Sequence, residues 1–200
     1  MKNLNRTNRS GISVKIILCL AVFALIFGCV VDFVLHKTEN KVYPLKYEKY
    51  VKKYAAEFGV PESVIFAVIK VESDFDKNAV SKSDPPALGL MQFTSDTFEW
   101  VASMLHESPS SFDVYDPETS IRYGAYLLSF YYTRFENWDV VYAAYNAGYG
   151  RIKTWLEDPS IADGKGGLVR ENIPFGETRA YVKRVAHARE EYEKLYYTKK

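Results

Sequence analysis

The sequence has little cysteine and little histidine, and both shortages exclude classes of protein. Its two cysteines, Cys19 and Cys29, stand in one apolar run near the amino terminus, so the rest of the chain can form neither a disulfide nor a cysteine-ligated metal site. The three histidines, His36, His106 and His187, are far apart and lack the spacing of zinc ligands. The residues therefore argue against a zinc hydrolase, and we expect no metal and no cofactor.

Two further patterns are missing. The formal net charge is only +1 and no basic stripe with interleaved aromatic residues is present, so we expect no nucleic-acid partner. No alternating apolar and polar pattern of useful length predicts β-strands, which favours an all-α fold. Helical patterns and helix-start signals instead recur along the chain, at about residues 47–58, 61–72, 94–105, 117–135, 139–147 and 151–156, and in one long last helix.

The amino terminus combines basic residues with a long apolar run. The run is uninterrupted from Ile16 to Val31 and is followed by Asp32, and the whole stretch of residues 14–35 can cross a bilayer core, which needs ~20 residues. Basic residues stand at its leading side: Lys2, Arg6, Arg9 and Lys15. Their positive charge holds that side in the cytoplasm. We therefore predict a single-pass protein of the cell membrane: residues 1–35 as cytoplasmic stub and anchor, 36–46 as tether, and 47–200 as an extracytoplasmic domain.

Two other interpretations of this segment stay open. A cleaved signal peptide would need a small-x-small cleavage pattern, which the residues after the run do not show. Lipidation at Cys29 would need a lipobox, and Ile26-Phe27-Gly28-Cys29 resembles one only loosely because Phe27 fits poorly. The anchor is the favoured interpretation, with a lipoprotein at Cys29 as the alternative.

One carboxylate ends a strongly apolar segment. Residues 64–71 are apolar except for Lys70 and follow Pro61, which a first helical turn accepts, so Glu72 is predicted at the C-terminal end of a buried helix. The helix dipole and the apolar neighbours both disfavour an anion there and should raise the pKa of Glu72. Such a carboxyl group can donate a proton near neutral pH. The same stretch also fits an ordinary surface glutamate at the end of a core helix.

Four separated segments place polar groups at the boundaries of predicted helices. They are Glu72-Ser73, Gly89-Leu90-Met91-Gln92, Ala144-Tyr145-Asn146-Ala147-Gly148 and Glu177-Thr178-Arg179-Ala180-Tyr181-Val182. In this order and spacing they resemble the catalytic domain of soluble lytic transglycosylases, the goose-lysozyme-like family that cuts peptidoglycan. The resemblance covers about residues 47–192 and includes Asp116-Pro117-Glu118-Thr119 and Ile173-Pro174-Phe175.

The resemblance implies an all-α, lysozyme-like domain with a groove for peptidoglycan glycan strands. Glu72 is implied as the single catalytic acid and base. The implied substrate-binding residues are Ser81, Met91, Gln92, Tyr145, Asn146 and Glu177, while Arg179 and Tyr181 are implied as structural supports. The implied reaction cleaves the β-1,4 bond between N-acetylmuramic acid and N-acetylglucosamine and leaves a 1,6-anhydromuramyl end. It would serve cell-wall remodelling at the membrane, where wall-associated protein machinery is a further expected partner.

One stretch departs from the family pattern. Pro85 and Pro86 stand before Ala87, where family members commonly carry a Gly-Ala pair. Because proline fixes φ and has no N–H, this loop offers fewer backbone donors to a substrate.

Two other functions remain open at this point. A hydrolytic muramidase on the same fold would need a second acid that activates water, and the candidates are Asp74, Asp76, Asp84 and Glu99. A non-catalytic peptidoglycan-binding or assembly module would use the groove without proton transfer, and it would leave Glu72 exposed and titrating normally.

Overall fold

The computed structural model describes residues 20–30, 41–108, 110 and 112–198. The chain divides into two units, Met1–Pro44 and Leu45–Lys200. In the first unit, residues 20–30 are helical and exposed. No helix in the described ranges is both long and apolar enough to cross a membrane. About half of the predicted anchor, residues 14–35, lies outside the described residues, as do Cys19 and residues 36–40 of the tether, so the anchor stays a prediction.

The regular secondary structure of the second unit is helical in its described part. Its α-helices, in chain order, are α1 (Glu48–Phe58), α2 (Glu62–Ser73), α3 (Ser95–Met104), α4 (Pro117–Phe135), α5 (Trp138–Ala147), α6 (Tyr149–Glu157) and α7 (Gly176–Tyr192). A 3₁₀ turn (Arg170–Asn172) precedes α7 and a π-helical turn (Glu193–Tyr197) follows it. Extended pairing among the described residues is limited to isolated bridges, such as that between Val80 and Leu88. The prediction of an all-α domain is therefore confirmed for this part of the chain.

Local signals in the sequence fix where several helices begin. Asp116 caps α4, because its Oδ2 accepts hydrogen bonds from the Thr119 backbone N–H at 2.8 Å and from the Thr119 hydroxyl at 2.8 Å. Pro117 occupies the first turn of α4, where its missing N–H has no intrahelical partner to lose. Asn137 caps α5 in the same way, accepting from the Asp139 N–H at 3.0 Å.

Helix α2 lies in the core and fixes the position of Glu72. It packs against α1, α4 and α7, and every residue from Val64 to Ile69 has zero exposed surface. The helix ends where Asp74 adopts a left-handed conformation, with φ at 50°. Glu72 therefore lies in the last helical turn, at the point where a wholly buried helix reaches the surface.

A sharp corner joins α5 to α6. The prediction placed a short helix at residues 151–156, whereas α6 begins earlier, at Tyr149, directly after Gly148. Gly148 has φ at 91°, a conformation that glycine adopts without steric cost. This corner presents Tyr145 and Asn146 on the same side of the domain as the end of α2, as the cavity described next shows.

Candidate active site

Six separate stretches of the chain converge on one cavity of about 600 Å³. The end of α2 contributes Glu72, and the start of α7 contributes Glu177. The remaining lining residues come from the loop before Gly89, the start of α3, the middle of α4 and the α5–α6 corner: Ser81, Lys82, Ser83, Ala87, Gln92, Phe93, Thr94, Thr97, Leu127, Tyr131, Tyr145, Asn146, Ala147 and Gly148. Six of the seven predicted site residues, all except Met91, thus meet in one place.

Glu72 is half-buried and lines this cavity. Burial, which withdraws water from the carboxylate, is the main cause that raises its pKa from 4.5 to about 7. The negative charge of Glu177 raises the pKa of Glu72 further, whereas the Tyr181 hydroxyl and the Arg184 guanidinium oppose the rise. A carboxyl group with this pKa is partly protonated at neutral pH, so it can both give and take a proton.

Tyr181 contacts Glu72 directly, a contact that the sequence did not predict. Its hydroxyl donates a hydrogen bond to Glu72 Oε1 at 2.6 Å, and the ring is buried. Tyr181, which was expected only as a support of the corner, thus also contacts the carboxyl group of the site. The available signal was spacing, since Tyr181 follows Glu177 by one helical turn and shares its face of α7. Arg179 does act as a support, because its Nη1 donates to the Ile173 carbonyl at 3.0 Å.

Ser81 closes the proline loop at the edge of the cavity. Its hydroxyl oxygen accepts from the Ala87 N–H at 2.8 Å, and its own N–H donates to the Ala87 carbonyl at 2.9 Å. Pro85 and Pro86 lie between these two anchor points and are exposed. The two prolines therefore sit in a loop that Ser81 holds shut at its base.

The side chain of Gln92 bonds to backbone carbonyls of its own loop region. Its side-chain amide donates to the carbonyls of Gly89 at 2.9 Å and Ala79 at 3.2 Å, while the residue lines the cavity. Gln92 therefore has its side-chain nitrogen engaged by the backbone while the residue borders the cavity.

Met91 does not line the cavity, and its predicted place in the groove is wrong. The side chain has no exposed surface and packs on Gly124, where an added Cβ would lie 2.2 Å from Met91 Cε. The reason is the backbone: Gly89 and Gln92 have φ at 73° and 51°, which turns the segment so that Met91 points inward. Only the main chain of Met91 serves the site, since its carbonyl accepts from the Tyr145 hydroxyl at 2.8 Å.

Hydrogen bonds join the α5–α6 corner to the segment that carries Met91 and to α7. Tyr145 bonds to the Met91 carbonyl, and burial raises its pKa well above its usual value, so it remains a neutral hydroxyl. Asn146 Oδ1 accepts from the Thr178 hydroxyl at 2.7 Å, which fixes the corner to α7. These bonds orient Asn146 so that its amide nitrogen is the group left for a ligand.

The four acids considered for a hydrolytic mechanism stand elsewhere. Asp74 pairs with Lys70, Asp76 accepts from the Asn78 N–H, and Asp84 is exposed. Glu99 borders a neighbouring cavity of about 570 Å³ rather than the cavity of Glu72. Among the described residues, the carboxylates that line the Glu72 cavity are Glu72 and Glu177. In the same residues no cluster of three His, Cys, Asp or Glu could hold a metal ion.

Comparison with known proteins identifies the class to which this fold and this site belong. The family model described as "Transglycosylase SLT domain" matches residues 49–165, which is more than half of the chain. The chain belongs to this family.

Two relatives illustrate how far the similarity extends. A soluble lytic murein transglycosylase of Escherichia coli K12 is 37% identical over 171 residues, which are 83% of this chain and 25% of the relative. A membrane-bound lytic murein transglycosylase C of Yersinia pestis (strain Pestoides F) is 34% identical over 181 residues, 80% of this chain and 49% of the relative. The chain therefore spans between a quarter and a half of the length of these relatives.

Solved structures show the same fold. The 70 kDa soluble lytic transglycosylase of Escherichia coli matches with a TM-score of 0.68 at 33% identity, over 78% of this chain and 25% of that one. An inactive mutant of the lytic transglycosylase Slt from Pseudomonas aeruginosa, with a glutamate replaced by glutamine, matches with a TM-score of 0.67 at 32% identity, over 76% of this chain and 25% of that one.

Proposed function

We propose that this protein is a peptidoglycan lytic transglycosylase in which Glu72 is the single general acid and base. It cleaves the β-1,4 bond between N-acetylmuramic acid and N-acetylglucosamine and leaves a 1,6-anhydromuramyl end. The observation that carries the proposal is the desolvated, half-buried carboxyl of Glu72 on a cavity large enough for sugar rings. Family membership and the lytic murein transglycosylase relatives support it.

In the first step, Glu72 in its protonated form gives its proton to the glycosidic oxygen as the bond to the anomeric carbon breaks. The acetamido oxygen of the muramyl residue attacks that carbon and stabilises the positive charge, so no protein nucleophile is needed. Glu72 then holds a negative charge, which the Tyr181 hydroxyl stabilises through its hydrogen bond to Oε1.

In the second step, the carboxylate of Glu72 takes the proton of the sugar's own 6-hydroxyl group. The 6-oxygen attacks the anomeric carbon and displaces the acetamido oxygen, which closes the 1,6-anhydro ring and restores protonated Glu72. Water is not consumed. A pKa of about 7 suits both steps, because the same group must act first as acid and then as base.

The other cavity residues bind and orient the glycan in this proposal. Glu177 is exposed on the cavity, and its negative charge adds to the rise in the pKa of Glu72 that burial causes. Asn146 offers its amide nitrogen, and Ser81 and Gln92 line the same cavity. An inactive glutamate-to-glutamine mutant of the Pseudomonas aeruginosa relative agrees with a mechanism that rests on one carboxyl group.

The test is mass spectrometry of purified peptidoglycan after digestion by the protein and by its Glu72→Gln variant, with Glu57→Gln, an exposed glutamate of α1, as the matched control. We expect products one water lighter than hydrolysed ends from the protein and from the control, and none from Glu72→Gln. Ordinary reducing ends would instead identify a muramidase. Glycan binding without any product would identify a binding module.

We further propose that the protein is held at the cell membrane by residues 14–35, with the enzymatic unit on the extracytoplasmic side. The apolar run, its basic flank and the membrane-bound Yersinia relative support this. Fractionation and protease protection of intact cells test it: the domain should stay with membranes and be cut only from outside. Release into the soluble fraction by Cys29→Ser would identify a lipoprotein instead.

A further inference from the structure

A cluster of aromatic side chains reaches the surface beside the Glu72 cavity. We call it the aromatic surface and define it as Trp100, Phe130, Phe135 and Tyr149, together with Arg134. Trp100 is 38% exposed, and the other three rings are half-buried. The rings of Trp100 and Phe130 are 5.3 Å apart and meet at 88°, so they touch edge to face and do not stack. A large part of the indole thus remains open to solvent.

The aromatic surface is continuous with the wall of the cavity. Tyr131 lines the cavity and stacks on Tyr149, with ring centroids 6.2 Å apart and planes within 8°. On α3, Thr97 lines the cavity and Trp100 follows one turn later, which places both near one face of the helix. Gly148 lines the cavity and Tyr149 comes next in the chain. Three elements therefore lead from the cavity to the aromatic surface.

The chemistry of this surface fits a sugar ring. One face of a pyranose presents C–H groups, which pack on an aromatic ring, while its hydroxyl and acetamido groups need hydrogen-bond partners. Arg134 supplies donors there: its guanidinium lies 3.3 Å from the centre of the Phe130 ring and bonds to the Phe130 carbonyl at 2.8 Å. The remaining N–H groups of this exposed side chain are available to a ligand.

We propose that the aromatic surface is a distal saccharide subsite that binds the glycan strand beyond the sugars held at Glu72. This inference rests on the proposed function, because it assigns a further part of the same substrate to a second surface. A second subsite of this kind makes a long glycan strand a better ligand than a short one. Trp100, as the most exposed ring of the set, supplies the largest share of that gain.

The experiment measures binding of amidase-stripped glycan strands, sorted by length, to the full chain carrying Glu72→Gln so that the strands are not consumed. In that background, Trp100→Leu removes the ring and Trp100→Tyr keeps an aromatic face. An aromatic contact of ~0.5–1.5 kcal/mol predicts that Trp100→Leu weakens binding of an octasaccharide by about two- to tenfold. Binding of a tetrasaccharide should not change, and Trp100→Tyr should restore most of the octasaccharide affinity.

A matched control is Trp138→Leu, because Trp138 stacks on Tyr132 and does not line the cavity. It should leave the preference for long strands intact. Equal weakening of both strand lengths by Trp100→Leu, or no weakening of either, would overturn the subsite. Equal affinities of the unmodified Trp100 protein for the two lengths would overturn it as well.

The same strands distinguish this inference from the proposed function. If the protein with Glu72 intact cleaves the tetrasaccharide and Trp100→Leu leaves long-strand binding unchanged, the transglycosylase stands and the subsite is wrong. If no strand is cleaved but Trp100→Leu weakens octasaccharide binding selectively, the subsite stands and the proposed activity is wrong.

Discussion

Replacing Glu72 by Gln should make the protein more stable above neutral pH while it abolishes cleavage. Folding places the carboxyl of Glu72 where burial raises its pKa from 4.5 to about 7, so the native state binds a proton more tightly than the unfolded state. The free energy of unfolding contributed by Glu72 therefore falls as the pH rises through this window. Below it, both states are protonated and the residue contributes no pH dependence.

The size of the effect follows from the shift. One pKa unit corresponds to about 1.36 kcal/mol, so the ionised carboxylate costs the folded protein about 3 kcal/mol above pH 7. Gln has nearly the same shape and no charge, so Glu72→Gln removes this cost. Gln does not titrate, so its own bond with Tyr181 is the same at all pH values, and the stronger bond of Tyr181 to the ionised Glu72 is already contained in the shifted pKa. The informative quantity is therefore the difference in the free energy of unfolding between variant and parent, and how this difference changes with pH.

The assay is urea unfolding of the full chain, followed by tryptophan fluorescence, at several pH values between about 4 and about 8. The stability of Glu72→Gln relative to the parent should rise across this range by about 3 kcal/mol. Glu57→Gln, which changes an exposed glutamate of α1, controls for the loss of one carboxylate from the chain. A difference for Glu72→Gln that is flat would refute the desolvation of Glu72 and with it the argument for its acid role.

Further predictions concern the surroundings of Glu72 and the core beneath it. Tyr181→Phe removes a hydrogen bond that lowers the pKa of Glu72, and Glu177→Gln removes a charge that raises it. In pH–rate profiles, the alkaline loss of kcat/KM should therefore move to higher pH in Tyr181→Phe and to lower pH in Glu177→Gln; shifts of the same sign would contradict the geometry. Gly124→Ala should destabilise the protein by about 1–3 kcal/mol in urea unfolding, because the new Cβ collides with Met91, and an unchanged midpoint would show that Met91 can move aside.

Much of the fold could be predicted from local sequence, because helix ends are set by neighbouring residues. Asp116 and Pro117 start α4 with a side-chain cap and a first-turn proline, both visible in the sequence. The apolar segment after Pro61 predicted a buried helix, and the structure buries it completely. The start of α6 was less accessible, because only the left-handed turn at Gly148 brings the helix forward to Tyr149.

The site was predicted less completely, because local sequence does not show which way a side chain points or which distant residues meet. Adjacent side chains in the segment 89–93 can point to opposite sides. The positive φ angles of Gly89 and Gln92 direct Met91 into the core and leave Gln92 at the cavity. The contact between Tyr181 and Glu72 joins residues 109 positions apart, so local sequence could place Tyr181 on the same face of α7 as Glu177 but could not show that it meets Glu72.

The sequence by itself determined an all-helical domain, a carboxyl group at the end of its most apolar helix, and the order of segments typical of a lytic transglycosylase. These features depend on periodicity, caps and residue types that act over one or two helical turns. Only the tertiary structure decided the chemistry of that carboxyl group. Its pKa depends on how far the surrounding helices exclude water and on the groups that α7 brings to it, Glu177 and Tyr181. Tertiary packing also decided which aromatic residues remain open beside the cavity, since their exposure depends on contacts between α3, α4 and the α5–α6 corner.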